Sequence, residues 1–348
     1  AWLPRVVGEL SPTLLVLGNL FRDQLDRYGE LERLADEWAT VIAEREGRTG
    51  LVLNADDPLV ADLGRDRELR RRDAVTFFGV EDPSQAVAEL QHAFDAKHCR
   101  RCGSPYVYER AFVGHLGHYR CPGCGADRPA PDVSATAIEL RGIAGSRFSV
   151  RTPDEVLEIE LPLPGLYNVY NALAAIAAAG RLGVGGEQIR AGLHDVRAAF
   201  GRVETIAVGG RALSILLIKN PAGANEVLRT LRLEADRDDR GLDLWIGLND
   251  RIADGRDVSW VWDADFELLA SSTRRVHCAG TRAAELALRL KYAGWPVERI
   301  EVVPGIDDSL DRALAAAGDR LFALPTYTAL LELRTLLARR GLATEFWR

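Results

Sequence analysis

Short apolar runs alternate along this chain with longer stretches whose apolar side chains recur every three or four residues. The first predict strands and the second helices. Residues 13–17 are a short apolar run of strand character, and residues 51–53 are another. Between them, residues 30–46 carry Leu31, Leu34, Ala35, Trp38, Val41 and Ile42 on one side of a helix. Pro58 suits the first turn of the next helix, with Asp57 as its cap. Residues 75–78 form a third apolar run. Strand–helix alternation of this kind predicts a parallel, doubly wound sheet.

The alternation breaks at residues 97–131, a stretch rich in cysteine, glycine and aromatic residues. Three runs with antiparallel character follow at 134–140, 147–151 and 156–161. An alanine-rich helix, buried over much of its surface, is expected at 166–182, and a shorter one at 186–193. A second alternating region begins near Thr205. Its strands are expected at 205–208, 213–218, 242–248, 275–279, 299–303 and 320–324, and its helices at 223–233, 281–293, 307–317 and 326–340. The junction is placed at 200–204, giving one domain over 1–200, with an insertion at about 97–131, and a second over 201–348.

Composition narrows the function. The 348 residues are 47% hydrophobic, enough for two or three cores. A net charge of −7 argues against a nucleic-acid protein held by overall positive charge. No apolar run is long enough to cross a membrane, and no signal peptide is visible. There are three lysines, Lys97, Lys219 and Lys291, so few are available for phosphate binding or covalent chemistry.

Of five cysteines, four form two pairs, Cys99-x-x-Cys102 and Cys121-x-x-Cys124. Each pair can turn two thiolates toward one tetrahedral ion, and an intervening hairpin can bring the pairs together, as in a structural zinc ribbon. Gly103 and Gly125 follow the second cysteine of each pair, where such knuckles favour positive φ. Four thiolates fill the zinc shell and leave no catalytic position. His115 and His118 are alternative ligands. Arg100, Arg101, Arg110, Arg120 and Arg128 make the insertion basic. Cys278 lies in an expected buried strand and reads as a small core residue.

Three segments point to nucleotide and carboxylate chemistry. Residues 18–29 follow a strand, where open α/β sheets bind ligands; Asp23 and Asp26 there could hold Mg²⁺. In residues 165–175, Asn168 and Asn171 share one helical face, and an amide suits an adenine edge, although capping is the ordinary role of such a pair. In residues 200–204, Arg202 could reach a phosphate at a hinge, or pair with Glu204 on the surface.

Together these segments resemble the Mur ligase family, which joins amines to carboxylates by way of an acyl phosphate. Residues 19–29, 54–57, 165–174 and 200–204 are each similar to one of its motifs. The four-cysteine insertion and residues 254–263, from Asp254-Gly255-Arg256-Asp257 to Trp262-Asp263, resemble the MurT-type synthetase subunits within it. Residues 219–223 and 325–330 also fit that branch. The resemblance implies a Mur-ligase-like central domain, doubly wound and carrying the zinc ribbon, followed by a Rossmann-like α/β domain. It implies ATP-dependent amidation of the D-glutamate α-carboxyl of the lipid II stem peptide, giving D-isoglutamine for peptidoglycan. A GatD-type glutaminase subunit would supply the ammonia in a heterodimer. Asn19, Asp23 and Gln24 would lie near Mg²⁺ or the ATP phosphates, Asn168 would read adenine and Arg202 would touch phosphate. An aspartate, Asp257 in preference to Asp254, would serve the glutaminase. The expected location is cytoplasmic, at the inner membrane face.

Two departures qualify the resemblance. Gln24 stands where most of the family carries histidine, although glutamine fits the MurT-type pattern. No Gly-x-x-x-x-Gly-Lys-Ser/Thr loop occurs in the sequence. The family's loop lies upstream of the Asn19 segment, and the chain lacks an initiator methionine. An N-terminally incomplete chain that uses ATP poorly is therefore expected. A Mur-type amino-acid ligase and a non-catalytic zinc-ribbon scaffold are the rival readings.

Overall fold

The computed structural model describes residues 2–22, 30–45, 47–70, 74–88, 94–197, 202–238 and 240–343, with only the backbone for 66–70 and 202. The chain divides into two compact units, Ala1–Arg141 with Gly145–Val196, and Gly142–Ala144 with Arg197–Arg348.

The first unit is built on a six-stranded sheet. Its strands are β1 (Leu14–Leu17), β2 (Gly50–Asn54), β3 (Val75–Val80), β6 (Val133–Leu140), β7 (Ser146–Arg151) and β8 (Val156–Leu161), in the order β1-β2-β3-β6-β7-β8. The first four run parallel, while β7 and β8 continue antiparallel. All six residues of β3 are buried, whereas β8 alternates exposed and buried. That difference is the one expected between a covered central strand and an edge strand with one wet face. The reading of β6 as part of an antiparallel set therefore holds on one side only, since β6 also lies parallel to β3.

Helices α2 (Leu31–Glu44) and α3 (Pro58–Arg70) connect the parallel strands. Pro58 opens α3, and Asp57 Oδ1 accepts from the Leu59 and Val60 amides at 2.9 and 3.2 Å, the cap expected from the sequence. Helix α1 (Leu3–Leu10), which the sequence reading did not assign, precedes β1 and buries Val7. Helix α4 (Leu166–Arg181) buries Leu166, Val169, Tyr170, Leu173 and Ile176 in one stripe, and α5 (Gly186–His194) follows. Between β3 and β6 lies the four-cysteine segment, with hairpin strands β4 (Val107–Val113) and β5 (Leu116–Arg120).

The second unit has the strand order β13-β12-β11-β14-β10-β9, parallel except for β9. These strands are β9 (Arg202–Val208), β10 (Arg211–Leu216), β11 (Leu242–Gly247), β12 (Thr273–Ala279), β13 (Ile300–Val302) and β14 (Arg320–Pro325). Its helices are α6 (Pro221–Ala235), α7 (Ala283–Tyr292), α8 (Ile306–Ala316) and α9 (Tyr327–Arg339). The order reverses between β11 and β14, which places a topological switch point at their carboxyl ends. Cys278 is wholly buried in β12, and burial pushes its thiol up to about 12. Residues Ser259–Asp263 form a 3₁₀ turn. Its buried positions Val261 and Ala264 are three apart, the period of that helix rather than of a strand.

Candidate functional site

In the first unit, the loop after β1 and the turn after β2 meet at the carboxyl ends of the parallel strands. Asn19 is partly exposed there. The next residue, Leu20, donates its amide to Asp57 Oδ2 at 2.7 Å. Arg22 donates its amide to Asp95 Oδ2 at 3.1 Å, and its guanidinium pairs with the same carboxylate. Asp23 and Gln24 lie outside the described residues.

Asp56 and Asp57 are completely buried, so each charge must be met by donors. Asp56 accepts from the Val80 amide at 2.8 Å, the Tyr170 hydroxyl at 2.6 Å and Arg128 Nε at 2.5 Å. Arg128 also donates to Glu81 at 2.7 Å and to the Val80 carbonyl at 3.2 Å. Gly79 is needed beside this pair, because a Cβ there would lie 2.7 Å from both Arg128 and Asp56. Asn168 is buried at the start of α4. It donates to the Pro164 carbonyl at 2.8 Å and accepts from Asn171 at 3.2 Å. Both bonds are local to the start of α4, and neither caps a backbone N–H of the helix. The adjacent Tyr170 ties α4 to Asp56.

The four cysteines converge. Their sulfurs all lie within 4.8 Å of one another, with Cys99–Cys124 at 3.7 Å and Cys102–Cys121 at 3.4 Å. Zn–S bonds of about 2.3 Å in a tetrahedron separate sulfurs by about 3.8 Å, so the set fits a zinc ion. Gly103 and Gly125 have φ of 73° and 72°, as the knuckle turns require. The Ser104 hydroxyl and amide, then the Cys121 thiol, lower Cys102 to about 6, while at Cys124 the Ala126 amide is outweighed by desolvation and the neighbouring thiols, which push it up to about 12. The histidines are engaged elsewhere: His118 Nε2 donates to the Val80 carbonyl at 3.0 Å, and His115 lies beside Asp57. Two arginines beside the first cysteine pair are ion-paired. Arg100 bonds Asp36 and Asp62, and Arg101 also bonds Asp62. These ion pairs lash the knuckle to α2 and α3.

In the second unit, the switch-point crevice holds the loop that follows β11. Asn249 donates to Thr328 and accepts from the Thr281 amide. Asp254 is buried; one oxygen accepts the Thr328 amide at 2.7 Å, and the other takes the Thr328 hydroxyl and the Arg251 amide. It therefore caps the first turn of α9 from outside that helix. Asp257 is exposed, and its Oδ1 accepts the Ser259 amide at 2.8 Å. That amide, then the Ser259 hydroxyl, hold its carboxyl below the usual range. Glu204 pairs with Arg334 of α9. The Arg202 side chain lies outside the described residues, and its backbone opens β9.

Arg128, Tyr170 and His115 were not singled out for this cluster from the sequence. Only the Gly114-His115-Leu116-Gly117 string, which marks a tight hairpin tip, hinted at one of them.

The family model described as MurT ligase C-terminal matches residues 217–330. Over 347 residues the chain is 34% identical to the lipid II isoglutaminyl synthase (glutamine-hydrolyzing) subunit MurT of Streptococcus pneumoniae (strain ATCC BAA-255 / R6), covering 99% of this chain and 74% of that protein. The subunit of the same name from Staphylococcus aureus (strain COL) is 31% identical over 342 residues, covering 97% of this chain and 72% of its own. Among solved structures, a pseudomurein peptide ligase type C from Methanothermus fervidus shares the fold, with a TM-score of 0.72 at 24% identity. That match covers 97% of this chain, which spans 65% of that structure's length. Identity running through both units, together with the matched C-terminal model, shows that the chain belongs to the MurT family of Mur-type ligases.

Proposed function

We propose that this chain is the synthetase part of an enzyme that amidates the D-glutamate α-carboxyl of the lipid II stem peptide. The observation that carries the reading is the 34% identity, over nearly the whole chain, to a lipid II isoglutaminyl synthase subunit. The carboxylate takes the γ-phosphoryl group of ATP, giving an acyl phosphate and ADP. Ammonia attacks the carbonyl carbon, a proton is lost and phosphate leaves, so D-glutamate becomes D-isoglutamine. Mg²⁺ offsets the phosphate charge when bound. Asn19, with Asp23 and Gln24, and Arg202 are assigned to that phosphate end, and Asn168 to the adenine. Zinc is assigned to Cys99, Cys102, Cys121 and Cys124 as a structural ion.

The ammonia comes from a GatD-type glutaminase bound as a heterodimer. Asp257 is assigned to that partner's histidine, because it is exposed, while Asp254 is buried and occupied on both oxygens. Among the described residues no helix is long and apolar enough to cross a membrane, and we place the action on lipid II at the inner membrane face.

The test supplies lipid II, ATP, Mg²⁺ and ammonium chloride to the complete gene product without a glutaminase. Mass spectrometry should find the stem glutamate carboxyl converted to an amide. ATP turnover that instead requires an added amino acid would move the reading to an amino-acid ligase. No ATP turnover at all would favour a scaffold.

A further inference from the structure

We propose that His115, at the tip of the four-cysteine hairpin, is a positioning residue for the loop after β1, so that the hairpin sets the affinity for ATP. This rests on the assignment of Asn19 and its neighbours to the phosphate end of the nucleotide.

His115 is completely buried, and neither ring nitrogen has a hydrogen-bond partner among the described residues. Its Nε2 lies 3.4 Å from Asp57 Oδ2, and its ring centroid is 4.8 Å from that of Phe21. An apolar side chain would fill this space without burying two unsatisfied polar atoms. The imidazole therefore earns its place through what it faces.

It faces a carboxylate that already serves two elements. Asp57 Oδ1 caps α3, and Oδ2 holds the Leu20 amide. The Nε2 edge approaches Oδ2 at 3.4 Å, so the ring packs against the carboxylate that holds Leu20. The ring fixes Phe21. At the root of the same segment, Asp95 takes the Arg22 amide and guanidinium. Phe21 and Arg22 are thus held from the segment that carries the cysteines, and Leu20 by Asp57, which His115 of that segment faces. The tip is in turn anchored to the turn after β2, where the Gly117 amide donates to the Asp56 carbonyl at 2.9 Å. Closeness within the hairpin is enforced by Gly117, whose Cβ would lie 2.0 Å from the Arg110 carbonyl oxygen.

The test measures ammonia-driven amidation by the complete, zinc-loaded gene product, with KM determined separately for ATP and lipid II. His115→Phe keeps an aromatic ring and removes the nitrogen that faces Asp57. It should raise the KM for ATP about tenfold and leave that for lipid II within about twofold. His115→Gln, which restores an N–H near the position of Nε2, should recover most of the loss. If His115→Phe does not fold, His115→Gln and Phe21→Leu carry the comparison, each with a smaller, ATP-selective rise. Lowered thermal stability with an unchanged KM for ATP, or equal losses for both substrates, would overturn the proposal. Asn19→Ala separates the two levels. A raised KM for ATP in Asn19→Ala but not in His115→Phe overturns the positioning role alone. An unchanged KM in Asn19→Ala overturns the nucleotide assignment and the positioning role with it.

Discussion

Replacing Arg128 by methionine removes the one full positive charge that, among the described residues, pairs with Asp56, a carboxylate with no exposure to solvent. The methionine keeps most of the aliphatic bulk, so the packing change is small. What remains on Asp56 is the Val80 amide and the Tyr170 hydroxyl, two neutral donors for a buried charge. Removing one partner of such a pair costs about 3–5 kcal/mol, since the other ion stays uncompensated. For a unit of this size each kcal/mol corresponds to about 2–4 °C, so the first unit should melt roughly 6–20 °C lower. Arg128→Lys should fall between the two, because an ammonium cannot span Asp56, Glu81 and the Val80 carbonyl as the guanidinium does. The decisive variant is the double change Asp56→Asn with Arg128→Met, which removes both charges. Calorimetry should show it more stable than the sum of the single changes by about 2–3 kcal/mol. A loss below about 1 kcal/mol in Arg128→Met, the surface-pair range, or strict additivity in the double variant, would refute the argument.

Three further outcomes follow from the same structure. With zinc bound, a thiol reagent at pH 8 should find no reactive cysteine; a strong chelator should release one zinc per chain and expose four thiols, and Cys278 should react only on unfolding, given its burial and its thiol pushed up to about 12. Asp257→Asn should abolish glutamine-driven but not ammonia-driven amidation when the partner is present. Asp254→Asn should instead lower thermal stability by about 1–3 kcal/mol, because Thr328 loses a charged acceptor. Burial raises the Asp82 carboxyl, but the Ser84 hydroxyl and the Ile138 and Ser84 amides outweigh it and hold it below its usual value. A depressed carboxyl contributes stability that is present above its unfolded value near 3.8 and lost as pH falls through the folded one. Asp82→Asn should therefore flatten the acid limb of the stability curve below about pH 4, read by chemical denaturation across pH; an unchanged limb would contradict the role of those bonds.

Local order in the chain was enough for the elements and their punctuation. The alternation of apolar runs and helical stripes predicted the parallel strands of both units, because burial on one face leaves its period in the sequence. The Asp57–Pro58 start of α3 was legible because a cap acts over three residues. The cysteine spacing was legible for the same reason, and the sulfurs do converge. Motif resemblance pointed to the family that the comparisons show.

Other features came only from tertiary packing. Asp254 and Asp257 are alike in type and three residues apart, yet one is locked by Thr328, 74 positions onward, and the other is exposed. Glu204 finds Arg334, 130 positions onward in the same unit. His115 offered itself as a metal ligand by its nearness in sequence to the cysteines, and the fold delivers it to Asp57. Periodicity records which face of an element is buried; it carries no record of which distant side chain will lie across from it. That pairing is decided when whole elements pack, through many weak contacts that no short stretch of sequence contains.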